Sequence, residues 1–134
     1  MPIAEMQCRQ RLRDLGVTFE DRAAEASPDG CSLPYPVSVT NLGDGISLQP
    51  GALMNCDTAE TAARFAKSVI APMVKLEFGT TLKSIDQASA YVCRPRNGTA
   101  KLSEHAFGNA LDIASFRLAD GRTIAVDEKT AMIA

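Results

Sequence analysis

The chain has 134 residues, 46% apolar and 22% charged, with a net charge of −2 and a sequence pI near 5.4. That length suits one domain with a real core. The composition excludes a disordered chain, and the acidic balance excludes the basic footprint of a nucleic-acid binder.

The first periodic segment spans residues 5–15, where Met6 or Cys8, Leu12 and Leu15 recur near helical spacing before Gly16. Val17 to Glu20 predicts a short strand. Residues 21–36, with Ser27-Pro28-Asp29-Gly30, Pro34 and Pro36, predict a loop. Val37 to Thr40 alternates as a strand, Asn41 to Gly45 reads as a turn, and Ile46 to Leu48 returns as a strand that Pro50-Gly51 should end. Asp57 with Glu60 resembles a capping box, and Ala62, Phe65, Ala66, Val69 and Ile70 form one core-facing helical stripe. Pro72 should kink or restart that helix, with Met73, Leu76 and Phe78 continuing its apolar side up to Gly79. Residues 80–93 alternate loosely, with Leu82, Ile85, Ala88, Ala90 and Val92 as inward candidates, as in a bulged strand. Arg94 to Gly98 reads as a loop. Ala110 to Leu118 is apolar on both faces, as in a central strand. Ala119-Asp120-Gly121 turns into a strand over 122–126, and Asp127-Glu128-Lys129 looks like the acidic first turn of a further helix. The outline is one α+β domain over residues 1–134, with helices packed on a mainly antiparallel sheet.

Cys8, Cys31, Cys56 and Cys93 are widely separated and contain no Cys-x-x-Cys pair, which argues against a zinc ribbon or a dithiol redox motif. Their even number fits two disulfides and an oxidising compartment. Four buried reduced thiols remain the alternative. Cys8 with Cys31 and Cys56 with Cys93 are the expected pairs, the first stapling the proline-rich loop by on the order of 3 kcal/mol. No leader is visible in Met1 to Gln10, so an exported protein would have lost its leader from this sequence. No stretch approaches the roughly 20 apolar residues of a membrane span.

The most chemically informative stretch is Leu102 to Ile113. It holds the sole histidine, His105, and places Asp112 among Ala110, Leu111, Ile113 and Ala114. A carboxylate there is costly to bury unless a charge or hydrogen-bond donor meets it. A metal shared with His105 would do so, and so would backbone N–H groups around a purely structural aspartate. Two zinc ligands lie about 2.0–2.2 Å from one ion. Seven extended residues span about 23–25 Å and seven helical ones about 10 Å. A shared ion therefore requires the chain to fold back, and Gly108 sits midway to allow it.

Ser103-x-His105-x-x-Gly108-x-Ala110-x-Asp112 resembles the metal motif of the zinc D-Ala-D-Ala carboxypeptidase and endopeptidase superfamily, which includes the hedgehog signalling fold. More closely, Tyr91-x-Cys93-Arg94-x-Arg96-Asn97, the 103–113 run and Phe116-x-Leu118-x-Asp120-Gly121 resemble the bacterial extensin-like C-terminal domain. The likeness extends back through Cys56, Leu53, Pro50, Leu48 and Cys31 to Phe19, Gly16, Leu12 and Cys8.

The resemblance implies a hedgehog/D,D-peptidase-like fold, with zinc on His105 and Asp112. It also implies Arg94 or Arg96 on the substrate or its oxyanion, and Ser103 as a supporting hydrogen-bonder beside the site. The implied substrates are peptidoglycan peptides containing D-amino acids, and the implied location is periplasmic or secreted. The family pattern continues with an acidic base and a second histidine. This sequence has no histidine after His105, and Asp127 and Glu128 fall too early to match that base. The expectation is therefore a monomeric domain truncated in its C-terminal part, with half a metal site and little hydrolysis by itself. The alternative is a non-catalytic module binding cell-wall polymer, with Arg94 and Arg96 as a patch for anionic groups or merely as solvated loop charges.

Overall fold

A computed structural model describes residues 1–93 and 103–133, the last seven by their backbone path alone. It is an α+β structure whose six-stranded sheet carries the main helices on one face. Helix α1 (Ile3–Asp14) buries Cys8 and Leu12, which lie four residues apart on one stripe. Arg9 is also buried. Burial opposes its charge but is outweighed by Asp21 at 2.7 Å and Glu5 at 2.8 Å, which hold its pKa above the ordinary value.

Strand β1 (Thr18–Asp21) pairs antiparallel with β4 (Val37–Asn41), and β4 with β5 (Ser47–Met54). Between β1 and β4, where a plain loop was expected, β2 (Glu25–Ala26) and β3 (Ser32–Leu33) make a small separate ribbon. The sheet order is β1-β4-β5-β6-β7-β8, adding β6 (Leu82–Ser89), β7 (Ala110–Leu118) and β8 (Thr123–Ile133). Among the described residues only β5 and β6 pair in parallel, because a helical crossover joins them.

Pro50-Gly51 does not end β5. β4 pairs with β5 on both sides of it, at Asn41–Ser47 and again from Val39–Ala52 onward, so two steps on β4 face five on β5 and the proline sits in the resulting bulge, where its missing N–H costs little.

The crossover comprises α2 (Cys56–Phe65), a π-helical turn (Ala66–Ile70) and α3 (Ala71–Phe78). The π turn ends just before Pro72, so the wider turn absorbs the kink. The helix cap is Asn55, which accepts from the Thr58 N–H at 2.8 Å, rather than the expected Asp57. Glu60 is instead held by Arg11 and Arg64, both at 2.9 Å. The expected stripe splits. Ala62, Ala66, Ile70 and Val74 are buried, whereas Phe65, Val69, Met73 and above all Leu76 are exposed. Gly79 closes α3 in the left-handed conformation.

β6 carries the anticipated register irregularities, and β7 is central, pairing with β6 and β8. The helix expected from Asp127 is absent, and β8 runs on to Ile133. Between the pairs Ser115–Ala125 and Ile113–Thr130, two steps on β7 face five on β8. The acidic triplet therefore falls in a bulge, and ladder pairing beyond it overrides the local helix signal.

Both disulfides form, but the expected pairing is wrong. Cys8 bonds to Cys56 and Cys31 to Cys93. Helix packing decides the first bond, since the Cys8 face of α1 lies on the start of α2. The second ties the β2–β3 ribbon to the end of the β6 segment.

Candidate metal centre

His105 lies on a 3-10 turn (Glu104–Phe107) that leads through Gly108 into β7, where Asp112 sits three residues in. Alternation along β7 sends Leu111 and Ile113 into the core and Asp112 to the opposite sheet face. The required fold-back happens at Gly108, whose φ is +70°. A Cβ at Gly108 would stand 2.7 Å from a Leu33 methyl and 2.9 Å from the Asn55 backbone nitrogen, so the loop is pressed against both β3 and the start of α2.

Hydrogen bonds fix the turn from several sides. The Gly108 carbonyl accepts from the Asn55 N–H at 3.1 Å and the Thr58 hydroxyl at 2.8 Å. The Asn55 side-chain amide donates to the Phe107 carbonyl and to Asn109 Oδ1. Asn109 in turn donates to Glu104 at 2.9 Å, and the Val92 N–H donates to the His105 carbonyl at 3.2 Å. One asparagine thus caps a helix and anchors the histidine loop. Sequence reading passed over Asn55, although an asparagine ahead of a helical stripe was an available signal.

The result is a close pair. His105 Nε2 lies 3.1 Å from Asp112 Oδ2, and both residues are buried. Despite that approach, Nε2 makes no hydrogen bond among the described residues. The two atoms converge without the alignment that a shared proton needs. Two donors on one tetrahedral zinc would stand about 3.3 Å apart. Ser89 faces Asp112 across the β6–β7 ladder, and its hydroxyl and that of Ser103, at the start of the 3-10 turn, are likewise buried without partners. Orphaned polar atoms at one end of a sheet face suit a ligand or ion better than a packed core.

Arg94 and Arg96 lie outside the described residues. Asp127 and Glu128 lie in β8, where the start of a helix was expected. Among the described residues no third histidine, cysteine or carboxylate donor joins His105 and Asp112. A separate group, Cys8, Asp57 and Glu60, fits a metal poorly, because Cys8 is in a disulfide and Glu60 is committed to two arginines.

Comparison with known proteins adds one match. The family model described as "Extensin-like protein C-terminus" matches residues 6–133. The chain belongs to the extensin-like C-terminal family. No curated protein and no solved structure matches it. The extensin-like match spans both disulfides, the histidine turn and all six strands of the main sheet, so the pair and its supports lie wholly within the family domain. Among the described residues no helix is long and apolar enough to cross a membrane, and two disulfides are compatible with a secreted or periplasmic protein.

Proposed function

We propose that this extensin-like domain is a zinc-dependent peptidase-like module acting on bacterial cell-wall peptides, with His105 and Asp112 as two of the metal ligands. The observation that carries the reading is the buried 3.1 Å approach of Nε2 and Oδ2 without a hydrogen bond between them. Zinc, when bound, polarises a carbonyl and makes a water acidic. The chain's own part is to hold the two donors at fixed separation. The Asn55–Asn109–Glu104 bonds restrain the turn that carries His105, and the β6 and β8 ladders restrain Asp112. Ser103 supports the site, and Arg94 or Arg96 holds the substrate or its developing oxyanion, as the motif resemblance implies. The likeness to D-Ala-D-Ala peptidases, the hedgehog-type fold, the periplasmic or secreted location and the monomeric state belong to the same proposal.

A catalytic zinc site ordinarily has three protein ligands and a water. With two donors among the described residues, the favoured second reading is a cell-wall binding module that keeps the fold without hydrolysis. Zinc titration by calorimetry, beside His105→Ala and Asp112→Asn variants checked for folding, tests the metal assignment. Weak one-site uptake that falls more than tenfold in both variants is expected. Uptake unchanged by His105→Ala refutes it. Release of D-alanine from a cell-wall pentapeptide separates the enzyme from the binding module.

A further inference from the structure

The sheet face that carries Asp112 is polar well beyond the histidine. Register places Ser47, Ser84, Arg117 and Thr123 in one row across β5 to β8, and Gln49, Asp86 and Ser115 in the next. The first row lines a cavity of about 220 Å³ together with Lys83 and Gly121. Its donors are in surplus. Lys83, the extra residue in a β6 irregularity, has no carboxylate partner among the described residues. Arg117 uses only Nε, on Asp86 at 2.9 Å, so its terminal nitrogens have no hydrogen-bond acceptor among the described residues. Ser84 is only 2% exposed, yet its hydroxyl has no partner. A buried hydroxyl left unpaired is costly, and a satisfied sheet face would not hold one beside two cations.

We propose that this cavity is a carboxylate subsite, in which the Lys83 ammonium, the Arg117 guanidinium end and the Ser84 hydroxyl receive the acidic group of an extended peptide. Five residues along β7 separate Arg117 from Asp112, about 16 Å at strand rise. An extended peptide of about five residues bridges that distance. The carboxylate subsite itself stands on the cavity. Only the placing of the peptide's other end at His105 and Asp112 rests on the function proposed above. Arg recognises carboxylate through two parallel bonds, and the rim hydroxyls of Ser47 and Thr123 fit a carboxylate's remaining lone pairs.

The test is a chemical-shift titration of the full chain, without zinc, using a short dicarboxylate such as glutarate, its neutral diamide and inorganic phosphate. Saturable shifts at Ser47, Ser84 and Thr123 with glutarate, absent with the diamide, are expected. Lys83→Gln and Arg117→Gln should each weaken them about tenfold, the scale of one charge-assisted hydrogen bond. If Arg117→Gln does not fold, Lys83→Gln on its exposed bulge decides the matter. Absence of saturable shifts, equal shifts in Lys83→Gln, or tighter binding of phosphate than glutarate would overturn the carboxylate assignment. Zinc uptake should be unchanged in Lys83→Gln. A chain that binds glutarate but takes up no zinc would overturn the metal reading and leave the subsite standing.

Discussion

Replacing Gly108 with alanine probes the turn that brings His105 back to Asp112. Three costs are legible. The residue has φ +70°, where an L side chain costs roughly 1–2 kcal/mol. Its new Cβ would meet a Leu33 methyl at 2.7 Å and the Asn55 nitrogen at 2.9 Å. The leucine can swing but the backbone nitrogen cannot, so the loop must move, at roughly 1–3 kcal/mol for overpacking. Moving it strains the bonds from the Asn55 N–H and the Thr58 hydroxyl to the Gly108 carbonyl. The first two together come to about 2–5 kcal/mol, or roughly 7–18 °C in Tm for a domain of this size, and the strained bonds add to that. Gly79→Ala is the control, since φ is +69° there but a Cβ meets nothing within 4 Å. It should cost only the backbone term. Thermal unfolding of the two variants, with zinc uptake measured in each, provides the comparison. Equal Tm losses would refute the claim that the loop is pressed against β3 and α2, and undiminished zinc uptake in Gly108→Ala would refute its role in placing His105.

Asn55→Ala should lose about 1–2 kcal/mol from the helix cap and about 1 kcal/mol more from the loop bonds, with weaker zinc uptake. Asn55→Asp keeps the cap but not the amide donor, so it should retain most stability and still lose zinc affinity; denaturant unfolding beside zinc titration reads both. Stepwise reduction with alkylation and peptide mapping should open Cys31–Cys93 first, because Cys93 is exposed whereas Cys8 and Cys56 are both buried. Early alkylation of Cys8 would contradict that order. At Glu60, burial raises the carboxyl pKa, but Arg11 and Arg64 outweigh it and hold the group below the ordinary 4.5. A depressed pKa stabilises the fold above the unfolded value, and that contribution fades as pH falls through the folded one. Glu60→Gln should therefore be less stable than the parent at neutral pH, with the gap closing in acid. A gap that persists below the carboxylate range would exclude the ion pairs as its source.

Patterns that depend on near neighbours were readable directly. The β4 alternation, the Gly79 stop and the apolar run of β7 each fix a local state whatever packs against it. The His105–Asp112 spacing likewise required a chain reversal for the two to share an ion, and Gly108 was the residue able to make it. Where local signals misled, a distant partner had decided. Asp127-Glu128-Lys129 has the composition of a helix start, yet β7 offers a ladder on both sides of it, and pairing wins. Pro50-Gly51 reads as a stop, but it falls in a bulge of the β4–β5 ladder, and β5 continues beyond it. The core stripe split because the π turn before Pro72 rotates the helix, which periodicity at 3.6 residues per turn does not anticipate.

The sequence by itself determined an α+β domain, two disulfides' worth of cysteine, and a histidine and an aspartate that must meet if either is to be used. Tertiary structure alone decided which cysteines bond, because interleaved bridges 48 and 62 residues apart depend on how α1 lies on α2 and how the β2–β3 ribbon meets the end of β6. It also decided that Nε2 and Oδ2 converge at 3.1 Å. The turn that brings them together is held by Asn55, Thr58 and Leu33, roughly fifty to eighty residues upstream of the pair, and contacts of that range leave no periodic mark in the chain.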